Sequence, residues 1–223
     1  PGMGAQAAAY QVAFVAEAAV LKSNVYAAGL LDLVKAFESV PHAILAQMAL
    51  AKGYPLVLLR LCLAAYRLDR TVGIDGIYSR KIKATRGITA GSGTATLELM
   101  LLLLDCMQTL DFTYGSLLVT KLYVDDLTLA ATGDAAMVIE LLTAALNFVC
   151  HHFVNDLKME VSATKSVAIA SLPSVAVAVA KGVCSDVVKP VAYTKLLGAD
   201  HSGGATRSTV QQKQRLTSFC DMR

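Results

Sequence analysis

Two adjacent carboxylates, Asp125 and Asp126, interrupt an otherwise apolar stretch, with residues 116–124 before them and 127–131 after. Apolar runs of this length read as strands, so the acids stand at the tip of a hairpin. Like charges this close oppose each other's ionisation. An acidic turn in water is one way to tolerate them, because Asp is common in turns. The flanking residues would instead bury the strands and hold both acids beside a core, where a divalent cation is the natural compensation. Asp32 closes another apolar run, 25–31, with the character of a buried strand. If the two strands are neighbours, three carboxylates converge. An all-oxygen set of this kind suits magnesium or manganese rather than zinc, and two such ions can clamp the attacking and leaving oxygens of a phosphoryl transfer.

Around these runs the chain alternates helical and strand patterns. Residues 5–22 read as an amphipathic helix, 42–52 as a helix entered at Pro41 and ended by Gly53, and 55–68 as another. Residues 71–74 and 78–84 form a hairpin across Asp75-Gly76, followed by a glycine-rich loop at 87–93 and a leucine-rich helix from Thr94 to about residue 110. Asp134 is placed to cap a long helix reaching about residue 156, and 165–171 and 191–198 read as strands. This mixed order predicts an α+β fold, a small antiparallel sheet with helices packed on one face. The polar stretch from Gly203 onward reads as a loosely ordered tail.

Hydrophobic residues make up 55% of the chain and charged ones 17%, which raises the question of a membrane. Unbroken apolar runs such as 99–104 and 175–180 end at charged residues and fall far short of the roughly 20 residues a spanning helix needs, so no membrane partner is expected. The start, Pro1-Gly2-Met3-Gly4, has neither an initiator methionine at position 1 nor a secretory pattern. Five scattered cysteines without a Cys-x-x-Cys pair argue against a disulfide framework or a zinc site and fit a reducing compartment. His151 and His152 lack spaced partners and read as helix residues. Net charge is only +3, but Arg67, Arg70, Arg80, Lys81, Lys83 and Arg86 face only Asp69 and Asp75 within their segment. Such a run is either an ordinary solvated surface or a surface for a polyanion.

Tyr123-Val124-Asp125-Asp126 matches the Tyr-x-Asp-Asp box of reverse transcriptases, and Asp32-Leu33-Val34-Lys35-Ala36-Phe37-Glu38-Ser39-Val40-Pro41-His42 resembles their first catalytic motif. Three more resemblances follow in family order. Arg86-Gly87-Ile88-Thr89-Ala90-Gly91-Ser92-Gly93 is similar to Gly-[Val/Ile/Leu]-Pro-Gln-Gly-Ser-Pro, Leu157-Lys158-Met159-Glu160 through Lys165 to the next motif, and Tyr193-Thr194-Lys195-Leu196-Leu197-Gly198 to the primer-grip box. The string from Lys35 to His42 and the hairpin before the glycine-rich loop look most like non-LTR retrotransposon enzymes, with group II intron and retron enzymes next.

The resemblance implies an RNA-directed DNA polymerase: a palm with part of the fingers over 1–200 and a polar tail, where a thumb would begin, over 201–223. Its partners would be an RNA template, a DNA primer and deoxynucleoside triphosphates. Asp32, Asp125 and Asp126 would hold two magnesium or manganese ions. Leu33, Lys35, Phe37, Ala90, Gly91 and Lys165 would meet the nucleotide, Phe37 as an aromatic gate beneath the sugar where a plain core phenylalanine is the alternative. Arg86, Gly91, Ser92, Tyr123, Lys195, Leu197 and Gly198 would meet template and primer. Fingers motifs that should precede residue 5 are missing, so the chain is expected to be part of a longer protein. Thr89-Ala90 replaces the usual Pro-Gln and Gly93 a frequent proline, removing an amide near the nucleotide. Two rival readings stay open: a palm kept only to bind nucleic acid, which Thr89-Ala90 favours, and an RNA-directed RNA polymerase, which usually carries Gly-Asp-Asp at the hairpin.

Overall fold

The computed structural model describes residues 4–206 and 209–221. In chain order its helices and strands are α1 (Ala5–Leu21), β1 (Val25–Leu31), α2 (Ala36–Ser39), α3 (His42–Ala51), α4 (Leu56–Tyr66), β2 (Gly73–Ile74), β3 (Ile77–Tyr78), α5 (Ala95–Tyr114), β4 (Leu118–Tyr123), β5 (Asp126–Gly133), α6 (Ala135–His151), β6 (Val167–Ala170), α7 (Pro173–Gly182), β7 (Lys189–Pro190), β8 (Tyr193–Leu196), β9 (Ala199–Ser202) and α8 (Val210–Asp221). The chain divides into two compact units. One comprises Pro1–Leu33, Met107–His151 and Val161–Arg223; the other comprises Val34–Cys106 and His152–Glu160.

The first unit is built on a five-stranded sheet in the order β4-β5-β1-β6-β7. The first four strands pair antiparallel, and β7 runs parallel to β6. Small residues line the centre of the sheet, with Ala28 opposite both Ala130 and Ile169. On one face Tyr26, Ala28, Ala130 and Ile169 pack with Val12, Ala16 and Ala19 of α1 and with Leu196 of β8. Side chains alternate along a strand, so Gly29 looks the other way. A Cβ there would lie 2.6 Å from Leu146 Cδ2, which shows how closely α6 covers that face.

Two corrections to the expected sheet follow. It is mixed rather than wholly antiparallel, and helices cover both faces, α1 on one and α6 on the other. The cover on both faces follows from β1, whose one polar side-chain group, the Tyr26 hydroxyl, is itself buried, so each face needs an apolar cover.

One helix departs from the expectation that every apolar segment is too short to span a membrane. Ala135–Asp156 runs continuously for 22 residues, long and apolar enough by length and composition to cross a membrane. Counting only unbroken apolar runs missed it, because scattered polar residues such as Thr143 and Asn147 do not cancel its average. Its Val138, Leu142, Ala145, Leu146 and Val149 are buried, as in the core helix of a sheet-based unit. Asp134 caps it as anticipated, its Oδ1 accepting from the amides of Ala136 at 3.0 Å and Met137 at 3.1 Å.

The second unit is mainly helical. Leu45 and Ala49 of α3, Leu59 and Tyr66 of α4 and Leu99, Leu102 and Leu103 of α5 are buried, as are Phe153, Leu157 and Met159. Its hairpin is shorter than expected, two paired residues in each of β2 and β3, closed by Asp75 at φ 49° and Gly76 at φ 82°. α7, β9 and α8 were not anticipated as elements. The stretch 210–221, which the sequence predicts as part of a loosely ordered polar tail, is a helix, one whose mostly polar composition gives little apolar signal.

Candidate active site

The register of two strands places the acids. β1 and β5 pair antiparallel, and their last partners are Leu31 and Leu127, so the next residues at that end are Asp32 and Asp126. By alternation both belong to the face of Leu30 and Thr128. Both line a cleft of about 760 Å³ with Thr164, Lys165, Lys195 and Gly198. Asp125 occupies the two-residue turn between Tyr123 and Asp126, beside Val124 at φ 60°. A β-branched residue at positive φ costs on the order of 1–3 kcal/mol and persists only where the surroundings over-determine it. Here the six-residue ladder from Leu118 to Tyr123 does so.

Charge is the second feature of the cleft. Burial, then the negative charges of Asp125 and Asp32, raise the Asp126 pKa, while Lys165 and Lys195 oppose the rise. Asp126 therefore feels both of the other acids. Lys165 Nζ sits 3.3 Å from both carboxylate oxygens of Asp32, whose backbone is fixed by Ser166 Oγ accepting from its amide at 3.2 Å. Among the described residues no three acidic, histidine or cysteine side chains stand close enough to hold a metal ion as placed. The donors of Asp32 and Asp126 nevertheless suit an oxygen-seeking divalent ion, which would relieve the repulsion that raises the Asp126 pKa.

Other anticipated residues fall on the same cleft or beside it. Lys195 and Leu197 line it, and Leu197 at φ 47° and Gly198 at φ 87° make the tight turn of the β8–β9 hairpin. Tyr123 is half-buried in a smaller adjoining pocket of about 170 Å³ with Lys121, Asp126 and Leu196. Leu33, by contrast, is buried and bridged to Val161, so its side chain belongs to the core. Lys35, Phe37, Arg86, Ala90, Gly91 and Ser92 lie in the second unit. Lys35 is exposed at φ 48°, Phe37 is half-buried, and Ala90 and Gly91 are exposed.

The glycine-rich loop of the second unit is moored by residues that sequence reasoning left without a role. The Ile88 amide donates to Phe37 O and the Gly87 amide to Val40 O, each at 2.8 Å. Buried His42 donates from Nε2 to Gly87 O at 2.7 Å while its Nδ1 accepts from Arg67 Nε at 3.3 Å. Tyr66 Oη donates to fully buried Glu98 at 2.8 Å and lies 3.3 Å from Ser92 Oγ. A lone acid inside the leucine-rich run was the available signal. In the first unit Tyr26 Oη and His201 Nε2 share a buried hydrogen bond at 3.2 Å, tying β9 to β1. Burial lowers the His201 pKa to about 4 and raises that of the Tyr26 hydroxyl.

No family model and no curated protein matches the sequence. Solved structures do resemble the fold. Apo telomerase from Candida tropicalis, truncated from its C-terminal domain, matches 93% of this chain and 40% of its own, with a TM-score of 0.60 and 10% identity. Telomerase from Candida albicans, in complex with a TWJ fragment of telomeric RNA, matches 94% of this chain and 36% of its own at a TM-score of 0.59 and 11% identity. A further apo telomerase from Candida tropicalis matches 89% and 35% at 0.59 and 11%. The chain thus spans well under half the length of these proteins. Identities this low speak to architecture alone: the chain shares its fold with part of these telomerase structures.

Proposed function

We propose that the chain is the palm core of an RNA-directed DNA polymerase, adding deoxynucleotides to a primer 3′ end. The observation that carries this reading is the register placing Asp32 beside Asp126, with Asp125 in the adjoining turn, inside a reverse-transcriptase-like fold. Asp32, Asp125 and Asp126 would hold a pair of magnesium or manganese ions, which when bound supply the Lewis acidity for primer attack and pyrophosphate departure. Lys165 and Lys195 flank the cleft and would offset triphosphate charge, and the turn at Leu197-Gly198 would meet the primer. Phe37 is assigned to the sugar and Gly91 and Ser92 to the template by motif alone. The RNA in the Candida albicans telomerase structure supports a nucleic-acid partner in general terms. A non-LTR retrotransposon origin rests on the string from Lys35 to His42.

A palm that binds nucleic acid without turnover is the second reading, favoured by Thr89-Ala90 and by the Lys165 ammonium already seated on Asp32. Primer extension on an RNA template with magnesium or manganese separates the two. Addition of deoxynucleotides that is lost in Asp125→Ala supports the polymerase. Preference for ribonucleotides would reassign it as an RNA polymerase, and no addition by this chain or by a longer polypeptide containing it would leave the binding module.

A further inference from the structure

Residues 70–82 of the second unit form a hairpin arm. Arg70 and Ile82 exchange backbone hydrogen bonds at 2.9 and 2.8 Å, the Ser79 amide donates to Val72 O at 2.8 Å, and the ladder closes through Gly73 opposite Tyr78 and Ile74 opposite Ile77. Every residue from Thr71 to Lys83 is exposed. The cations along the arm are not equivalent. Arg67 Nε donates to His42, Arg70 Nη2 to Tyr66 O at 3.1 Å, and Arg86 Nη1 to Lys158 O at 3.3 Å, so these three fasten the base. Lys81 has only a long, exposed pairing to Asp69 at 3.8 Å, a contact of little energetic weight. Arg80 and Lys83 make no side-chain hydrogen bond or ion pair among the described residues. The uncommitted positive charge therefore gathers on the returning strand, which leads directly into the glycine-rich loop.

We propose that this returning strand, through Arg80, Lys81 and Lys83, docks the phosphate backbone of a nucleic-acid duplex outside the acidic cleft. The inference rests on the polymerase reading for the identity of its occupant. Charge complementarity selects that occupant: three exposed cations within four residues, two of them unpaired, suit a polyanion. The exposed Ile74 and Ile77 near the tip offer the competing possibility of a protein contact.

The test is fluorescence anisotropy with a labelled DNA primer on an RNA template, titrated with the chain between 50 and 200 mM salt. Each phosphate contact contributes about 0.7–0.9 to the slope of log affinity against log salt. The Arg80→Ala/Lys83→Ala pair should make the slope shallower by roughly 1.4–1.8 and weaken binding several-fold at the lower salt, while Ile74→Ser/Ile77→Ser leaves the slope unchanged and the affinity within about twofold. An unchanged slope and affinity in the alanine pair would overturn the proposal. So would a serine pair that alters self-association or binding where the alanine pair does not, which would make the arm a protein contact. If the alanine pair loses affinity but the parent never extends a primer, the polymerase reading fails alone.

Discussion

Three hairpins of this chain turn in two residues, and two of them obey opposite rules. β2–β3 turns at Asp75-Gly76, both at positive φ, a sequence well suited to such a turn, yet only two residues on each side pair as strand and all are exposed. β4–β5 turns at Val124-Asp125 with the β-branched Val124 at positive φ, yet six residues on each side pair and β5 is largely buried. Local chemistry alone makes a short arm. A buried ladder carries a strained tip, and at that tip stand the two acids of the candidate site.

The comparison breaks most decisively at the acids. Asp125→Ala or Asp32→Ala should abolish nucleotide addition, measured by primer extension, while the fold survives. Because Asp125 and Asp32 help raise the Asp126 pKa, either substitution should hold or slightly raise Tm without metal, and magnesium should stabilise the parent more than the variants. Metal stabilisation equal in parent and variants would remove these carboxylates from the site.

Packing gives the next contrast. Leu129 in β5 is fully buried, and Leu129→Ala should cost about 2–5 kcal/mol in urea denaturation. Ile77→Ala in the arm, where Ile77 is 78% exposed, should stay within about 0.5 kcal/mol. Similar losses at the two positions would mean that the arm is covered in solution.

Acid should weaken the first unit through His201. In the fold its pKa is about 4, whereas the free side chain titrates near 6.5. Between those values the unfolded chain binds the extra proton and the fold does not, so stability falls as pH drops through that window and the loss is complete below about 4. At about 1.4 kcal/mol per pH unit the full effect is on the order of 3 kcal/mol. Denaturation at pH 7 and pH 4.5 should show most of it, and His201→Gln should flatten the difference.

The turns themselves should respond with opposite signs. Val124→Gly relieves the positive φ at some cost in unfolded-chain entropy, for a net gain of about 1 kcal/mol in Tm-derived stability. Gly76→Ala strains a residue at φ 82° and should fray the arm by a similar amount, read as faster exchange of the Ser79 amide. Equal signs would mean that Val124 is not held against its preference.

Local chemistry was legible wherever it sufficed. The strand 25–31 was bounded to the residue by its apolar content and by Asp32, Asp134 announced its helix, and the two acids announced their hairpin. Five motif strings in family order pointed to the fold that the telomerase likeness supports. What sequence by itself determined is thus most of the elements and the set of candidate residues, because periodicity, caps and turn residues act over a few positions. Tertiary structure alone decided that β1 lies between β5 and β6, that Asp32 stands next to Asp126 with Lys165 upon it, and that His201 reaches Tyr26 across 175 positions. These are pairings between distant segments, chosen by the joint burial of several faces at once, and no short window of sequence contains the competing partners.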